Sequence, residues 1–186
     1  MSKGLLIIYA GPSGVGKGTI VRNMLSKNDN LKLSVSVTTR QKREGETEGV
    51  DYYYITREKF SEMVNNDELL EHTEYCGNCY GTPKKAVMDM LDKGIDVLLE
   101  IEVDGFRQIK EKFPDAVSIF VLPPSQQELF DRLNKRGTET DEQKQLRIKQ
   151  AEFELSQARW FDYRIINDDV NRASNEILSL IQDIKD

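Results

Sequence analysis

A glycine-rich loop follows the first apolar run of the chain and limits the folds open to it. Residues 11–19 read G-P-S-G-V-G-K-G-T and lie between the apolar run 5–10 and a helical pattern of apolar residues. Strand, loop and helix in this order, with this glycine and lysine spacing, form a phosphate-binding loop, because glycines let backbone N–H groups turn inward and the helix N-terminus and Lys17 add positive charge. The sequence therefore predicts a nucleotide site made of Gly11, Pro12, Ser13, Gly14, Val15, Gly16, Lys17, Gly18 and Thr19.

One position of this loop departs from the usual pattern. Gly18 stands where a Ser or Thr commonly follows the lysine, and the first hydroxyl comes at Thr19. One step along a helix is a rotation of about 100°, so Thr19 does not take over the usual magnesium-facing position by default. We therefore expect Mg²⁺ to be held mainly by nucleotide oxygens and water, with Thr19 in an indirect role.

Composition indicates a single globular domain. Of the 186 residues, 38% are hydrophobic and 31% are charged, which is too apolar for disorder and too polar for a membrane span. The net charge of −6 is the wrong sign for a general nucleic-acid or anionic-membrane binder, so neither is expected as a partner. Cys76 and Cys79 with the single histidine, His72, are too few ligands for a closed zinc site. We expect both cysteines to be free thiols, with redox pairing or metal binding as the alternative. We also expect a cytoplasmic location.

Apolar runs of strand length alternate with helical patterns, which favours an α/β fold with a parallel sheet flanked by helices. Runs at 5–10, 97–101 and 117–122 are expected to be buried core strands, and 164–167 a fourth. We expect Thr82-Pro83 to be the N-cap and first residue of a helix, and Ser125-x-x-Glu to be a capping box.

Two segments interrupt the alternation. Residues 34–82 carry five of the seven tyrosines and short alternating patterns, so they are expected to form a small α+β insertion. Residues 132–149 carry six basic residues on two helices and a turn, which is typical of a solvated helical face as much as of an anion site.

The insertion contains a second predicted anion site. Alternation along its first strand places the apolar residues on one face and Ser34 and Ser36 on the other, and this polar face leads to Arg40 and Arg43. Two guanidinium groups three residues apart match the oxygens of a phosphate.

Taken in order, the motifs resemble the guanylate kinase family over nearly the whole chain, about residues 4–184. They are G-P-S-G-V-G-K-G-T (11–19), S-V-T-T-R-Q-K-R-E-G-E (36–46), G-V-D-Y (49–52), L-E (70–71), G-N-C-Y-G-T (77–82), L-E-I-E-V-D-G (99–105), R-L-N-K-R-G-T-E-T (132–140) and I-N-D-D (166–169). The resemblance implies transfer of the γ-phosphoryl group of ATP to GMP in purine nucleotide metabolism, with Mg²⁺ accompanying ATP. It also implies a P-loop core (1–33, 83–123 and 151–186), a GMP-binding region (34–82) and a lid (124–150).

The resemblance also implies roles for individual residues. Arg40, Arg43, Tyr52 and Tyr80 match positions that hold the GMP phosphate, and Glu71 matches the carboxylate that accepts from guanine. Implied GMP ligands in full are Ser36, Arg40, Arg43, Tyr52, Glu71, Tyr80, Thr82 and Glu100.

The implied catalytic charges are Lys17, Arg132, Arg136 and Arg147. Asn167 matches a residue near the adenine of ATP. Glu102 stands where an aspartate is more usual, as an indirect contact to Mg²⁺.

Two alternatives stay open. A guanylate-kinase-like interaction module would keep the fold without catalysis, and a related monophosphate kinase would accept AMP or TMP. A GTPase is disfavoured because Asn134-Lys135 is followed by Arg136 and Gly137 where the guanine-reading pattern needs an aspartate.

Overall fold

The structure is a computed structural model that describes residues 3–75, 77–134 and 141–185. The strands are β1 (Leu6–Ala10), β2 (Leu31–Leu33), β3 (Val37–Thr38), β4 (Tyr53–Tyr54), β5 (Leu69–Tyr75), β6 (Asn78–Pro83), β7 (Asp96–Glu100), β8 (Val117–Leu122) and β9 (Tyr163–Ile166). The helices are α1 (Lys17–Leu25), α2 (Arg57–Asn65), α3 (Lys84–Asp92), α4 (Val103–Lys112), α5 (Gln126–Asn134), α6 (Asp141–Gln157), the 3₁₀ turn Ala158–Trp160 and α7 (Val170–Lys185). Within the described ranges, no helix is long and apolar enough to cross a bilayer.

Two sheets organise these elements. The larger has the strand order β2-β7-β1-β8-β9 and the smaller has the order β4-β3-β6-β5. The chain divides into two compact units, Met1–Ile8 with Lys32–Val117 and Tyr9–Leu31 with Ser118–Asp186, so β1 belongs to both. The predicted segment 34–82 lies within the first unit and 124–150 within the second.

The first unit contains the smaller sheet. β3 pairs in parallel with β4 and antiparallel with β6, with Thr38 opposite Tyr80, and β5 and β6 form an antiparallel hairpin. Val37, Phe60 and Leu69 form a small core beneath this sheet. Burial of these apolar side chains holds the sheet on α2 and leaves its polar side chains to form a site.

The second unit contains the loop between β1 and α1. β8 and β9 pair in parallel, and α1 packs against α7. The packing faces are apolar at helical spacing, with Ile20, Met24, Ile177 and Ile181 all buried. These contacts fix the start of α1, and therefore the loop before it.

The α/β class is confirmed, and the run 117–122 is β8 to the residue. The fourth predicted strand is present as β9, but the prediction that it is buried was wrong: β9 is at the edge of the sheet, where Ile165 is buried and Ile166 is 47% exposed. An edge strand has one neighbour, so part of its surface faces solvent.

Two local predictions were also wrong. The chain leaves strand conformation between β2 and β3, and Ser34 there is buried with its N–H donating to the carbonyl of Leu98 at 2.9 Å. Strict alternation therefore does not hold across this segment. The N-cap of α3 is Pro83 rather than Thr82, because Thr82 belongs to β6 and its hydroxyl donates to a buried carboxylate instead. Ser125 does accept from the N–H of Glu128, at 3.2 Å.

Candidate active site

The glycine-rich loop of the second unit has the backbone of an anion cradle. α1 begins at Lys17, and its N-cap Gly16 has φ 97°, a left-handed conformation that favours glycine. A Cβ on Gly16 would also lie 2.6 Å from Nδ2 of Asn167, so two independent constraints require glycine here. Unsatisfied N–H groups at the start of a helix attract anions.

Lys17 adds a full positive charge to the same loop. Its Nζ donates to the carbonyl oxygens of Gly11 at 2.6 Å and Pro12 at 3.3 Å. The ammonium group is therefore held against the loop backbone, where a phosphate on the helix N-terminus would meet it.

Thr19 is exposed, and its Oγ1 accepts from Nη2 of Arg22 at 3.3 Å. Gly18, beside it, is also exposed. Neither observation gives Thr19 a direct metal-ligating position.

Asn167 lies in the core of the second unit, under the loop. It is 5% exposed, its Nδ2 donates to the carbonyl of Val15 at 2.7 Å, and its N–H donates to Leu122 at 2.8 Å. Its described contacts thus support the loop backbone, a role that sequence reasoning did not give it. An adenine contact stays a prediction.

Predicted lid residues are described in part. On α5, Nη2 of Arg132 donates to Glu128 at 2.5 Å, and on α6 Arg147 is partly exposed. Arg136 lies outside the described residues.

In the first unit, an arginine lies among tyrosines. The Arg40 guanidinium carbon is 5.3 Å from the ring centroid of Tyr52, and the rings of Tyr52 and Tyr80 are 5.9 Å apart. Burial raises the pKa of the Tyr52 phenol, and the charge of Glu100 at the end of β7 raises it further. The fold therefore brings together three of the four predicted phosphate ligands. The fourth, Arg43, is exposed.

Two residues of this cluster were missed by sequence reasoning. Both Nη atoms of Arg40 donate to the carboxylate of Glu46, at 2.7 and 3.0 Å, and the hydroxyl of Tyr54 donates to it at 2.8 Å. Glu46 is the last residue of the motif at 36–46. A carboxylate that follows two arginines in this motif was the sequence signal that could have identified it as an arginine partner.

A buried carboxylate lies on the same sheet. Glu71 is 3% exposed, and the hydroxyl of fully buried Thr82 donates to its Oε1 at 2.6 Å. Burial raises the pKa of Glu71 to about 7, against the lowering effects of Thr82 and Lys112. Because Tyr80 and Thr82 are two residues apart on β6, both project from one face of the strand. The arginine–tyrosine cluster and the buried carboxylate thus share one face.

Three further predicted residues, Ser36, Glu100 and Glu102, belong to the same unit. Ser36 is partly buried, and its carbonyl accepts from the N–H of Tyr53 at 2.9 Å. Glu100 and Glu102 are exposed, and Glu102 is the N-cap residue of α4. Gly105 of α4 packs directly on Glu71, since a Cβ there would lie 2.6 Å from Oε2.

A phosphate-binding loop between a central strand and a helix, on a sheet with parallel strand pairing, defines a P-loop nucleotide-binding protein. The family model described as guanylate kinase matches residues 3–184. The chain belongs to the guanylate kinase family, as the sequence motifs predicted.

Similar proteins agree with this assignment. The chain is 50% identical over 185 residues to a guanylate kinase of Clostridioides difficile strain 630, covering 100% of this chain and 90% of the relative. It is 49% identical over 177 residues to a guanylate kinase of Prochlorococcus marinus strain MIT 9312, covering 95% and 96%.

Solved structures give the same fold. The crystal structure of guanylate kinase from Anaplasma phagocytophilum matches with a TM-score of 0.81 and 37% identity, over 97% of this chain and 86% of that one. The SH3-kinase fragment of tight junction protein 3 matches with a TM-score of 0.53 and 10% identity, over 98% of this chain and 58% of that one. That second likeness concerns the fold alone.

Proposed function

We propose that this protein transfers the γ-phosphoryl group of ATP to GMP, giving ADP and GDP. Family membership supports the reaction, and the observation that carries the choice of acceptor is the buried carboxylate of Glu71 beside Thr82. A carboxylate that lacks water can stay charged only when donors replace the lost hydration. Guanine presents two such donors on one edge, N1–H and the exocyclic amine, whereas adenine has no N1–H and no 2-amino group.

The acceptor would bind along one face of the smaller sheet. Its base would meet Glu71, with Ser36 and Thr82 at its other polar edge, and its phosphate would meet the arginine–tyrosine cluster. The phosphate ligands in this proposal are Arg40, Arg43, Tyr52 and Tyr80, with Glu100 as a further contact to the acceptor. Guanidinium and phenol groups supply donors to a dianion, and guanidinium also supplies charge.

The donor would bind at the P-loop, with its phosphates on the N-terminus of α1. Phosphoryl transfer proceeds through a loose, highly charged transition state, so positive charge and positioning matter more than a strong base. In this proposal Lys17, Arg132, Arg136 and Arg147 supply that charge. A lid formed by 124–150 would exclude the water that competes with GMP as acceptor.

Magnesium fits this site as a companion of ATP rather than as a resident ion. The described residues contain no cluster of three His, Cys, Asp or Glu side chains that could hold a metal by themselves. Mg²⁺ keeps several waters and binds readily to nucleotide phosphates, where it neutralises charge. Thr19 and Glu102 would then act through water. The cytoplasm, where ATP and GMP are available, is the proposed location.

A coupled assay of ADP release tests the proposal. ATP is supplied with GMP, AMP, TMP or no acceptor, and the proposal expects fast release with GMP alone. Comparable rates with AMP or TMP would move the acceptor assignment to a related kinase. Binding of GMP without turnover under any condition would favour the non-catalytic interaction module.

A further inference from the structure

The carboxylate of Glu46 accepts four hydrogen bonds within the arginine–tyrosine cluster and the loop beside it. Oε1 accepts from Nη2 of Arg40 at 2.7 Å, and Oε2 accepts from Nη1 of Arg40 at 3.0 Å. Oε2 also accepts from the N–H of Arg43 and the hydroxyl of Tyr54, both at 2.8 Å. Because four donors bind its two oxygens, the carboxylate of Glu46 is held in a single orientation.

The ion pair is largely removed from solvent. The side chains of Arg40 and Glu46 are 12% and 19% exposed, unlike the open surface pairs of this protein, such as Lys3–Asp92 at 73% and 59%. The guanidinium holds the pKa of Glu46 down to about 2, so the carboxylate is charged throughout the working pH range. Surface pairs contribute little, but a bidentate pair with this burial fixes both partners.

Glu46 has supports that do not depend on Arg40. The backbone of Arg43 and the phenol of Tyr54 hold the carboxylate, and the carboxylate in turn holds the guanidinium. The rings of Tyr52 and Tyr54 flank that guanidinium at 5.3 and 5.8 Å. Nη1 of Arg40 also donates to the carbonyl of Gln41 at 2.8 Å, so one end of the guanidinium has a backbone anchor, while Glu46 is the partner that engages both Nη atoms.

The geometry of the pair leaves a defined place for a phosphate. An arginine presents two edges, each with two parallel N–H groups. Glu46 takes the Nη1–Nη2 edge, so a phosphate that keeps the ion pair intact binds at the Nε–Nη2 edge. Tyr80, a predicted phosphate ligand, lies in the same cluster, with its ring 5.9 Å from that of Tyr52.

We propose that Glu46 is a positioning residue for the acceptor: it holds Arg40 in the orientation that receives the acceptor's phosphate, and it stays bound to Arg40 while the phosphate is held. This inference rests on the proposed function, because it takes GMP as the acceptor. A long side chain that is already ordered loses less freedom when its ligand arrives, which improves affinity without a new contact. Glu46 thereby favours phosphate binding although its own charge is negative.

The test compares two ligands that differ only in the phosphate. Dissociation constants for GMP and guanosine are measured by calorimetry on the full chain with Glu46→Gln, and kcat and KM are measured alongside. We expect GMP to weaken by about tenfold, from the lost ordering of one arginine, while guanosine changes by less than about twofold and kcat changes less than KM. Glu46→Asp, which restores the charge, should recover part of the loss.

Two controls isolate the cause. Glu44→Gln removes the same charge from an exposed site two residues away and should leave GMP binding near the wild-type value. In an Arg40→Lys background, which cannot form the bidentate pair, Glu46→Gln should have little further effect.

The contrary outcomes are distinct. Equal weakening of GMP and guanosine by Glu46→Gln would show a general structural role, and tighter GMP binding would show that Glu46 competes with the phosphate; either overturns the inference. Wild-type protein that binds GMP without transferring phosphate would contradict the proposed function alone, since the binding comparison still decides the role of Glu46. Absence of GMP binding to the wild type would overturn both.

Discussion

Replacing Glu71 with glutamine should make this protein more stable while it weakens GMP binding. Glu71 is 3% exposed, and burial raises its pKa to about 7 from the ordinary value of 4.5. Thr82 donates one hydroxyl hydrogen bond, at 2.6 Å, to Oε1. The ionised carboxylate is therefore less favourable in the folded chain than in the unfolded chain until a ligand supplies further donors.

The sign and size of the effect follow from this pKa. Between pH 4.5 and about 7 the folded protein keeps a proton that the unfolded chain has released, so the contribution of Glu71 to stability falls as pH rises through this window. Above pH 7 the cost reaches roughly 3 kcal/mol, at 1.36 kcal/mol for each pH unit between the two pKa values. Glutamine carries no charge and does not incur this cost.

Urea unfolding of wild type and Glu71→Gln at about pH 5 and pH 8 measures the difference. We expect similar free energies of unfolding at the lower pH and a variant that is more stable by up to roughly 3 kcal/mol at the higher pH. Glu111→Gln, an exposed site on α4, is the matched control and should show little effect at either pH. A variant less stable than wild type at pH 8 would show that the ionised Glu71 carboxylate does not destabilise the fold. By the same linkage, GMP should bind more tightly as pH rises through 7, with release of a proton.

Three further substitutions test the P-loop lysine, the support beneath the loop and the packing on Glu71. Lys17→Ala should lower kcat by about a hundredfold or more through lost transition-state charge, and near-normal turnover would remove the P-loop from the mechanism. Asn167→Ala leaves the buried carbonyl of Val15 without its hydrogen-bond donor. The free energy of unfolding should therefore fall by about 1–3 kcal/mol, and the KM for ATP should rise. An unchanged urea midpoint and an unchanged KM would contradict this. Gly105→Ala places a Cβ 2.6 Å from Oε2 of Glu71, so KM for GMP should rise by about tenfold with KM for ATP unchanged, and equal changes in both would contradict a local effect.

The parts of the fold that sequence predicted best are those fixed by short-range pattern. The apolar run at 117–122 predicted β8 with both of its bounds. The glycine spacing at 11–19 predicted the phosphate-binding loop, which leads into α1 at Lys17. Burial of a whole strand and the backbone demands of a phosphate loop leave few alternatives.

The features of the fold that the sequence did not predict depend on contacts between residues far apart in the chain. Ser34 and Thr82 carry side chains typical of polar strand faces and helix caps, yet both are buried, and Thr82 donates to Glu71 across the β5–β6 hairpin. The support of Val15 by Asn167 joins residues 152 positions apart. No local period encodes such pairs, because each arises from the packing of complete elements.

The residues of the candidate site were predicted only in part. The resemblance gave Arg40, Tyr52 and Tyr80, which the fold places together, but gave no role to Glu46 or Tyr54. A sequence motif can contain a residue such as Glu46 without saying what it does, and the hydrogen bonds of the folded chain show which residue it orients.

Direct passage of a phosphoryl group from ATP to GMP can be followed with an isotope. ATP labelled at its γ-phosphorus is incubated with the protein, Mg²⁺ and GMP, and the products are separated over time. We expect the label to appear in the β-phosphate of GDP, with one GDP formed for each ADP and little label released when GMP is omitted. Label that collects in inorganic phosphate at the same rate with and without GMP would contradict it.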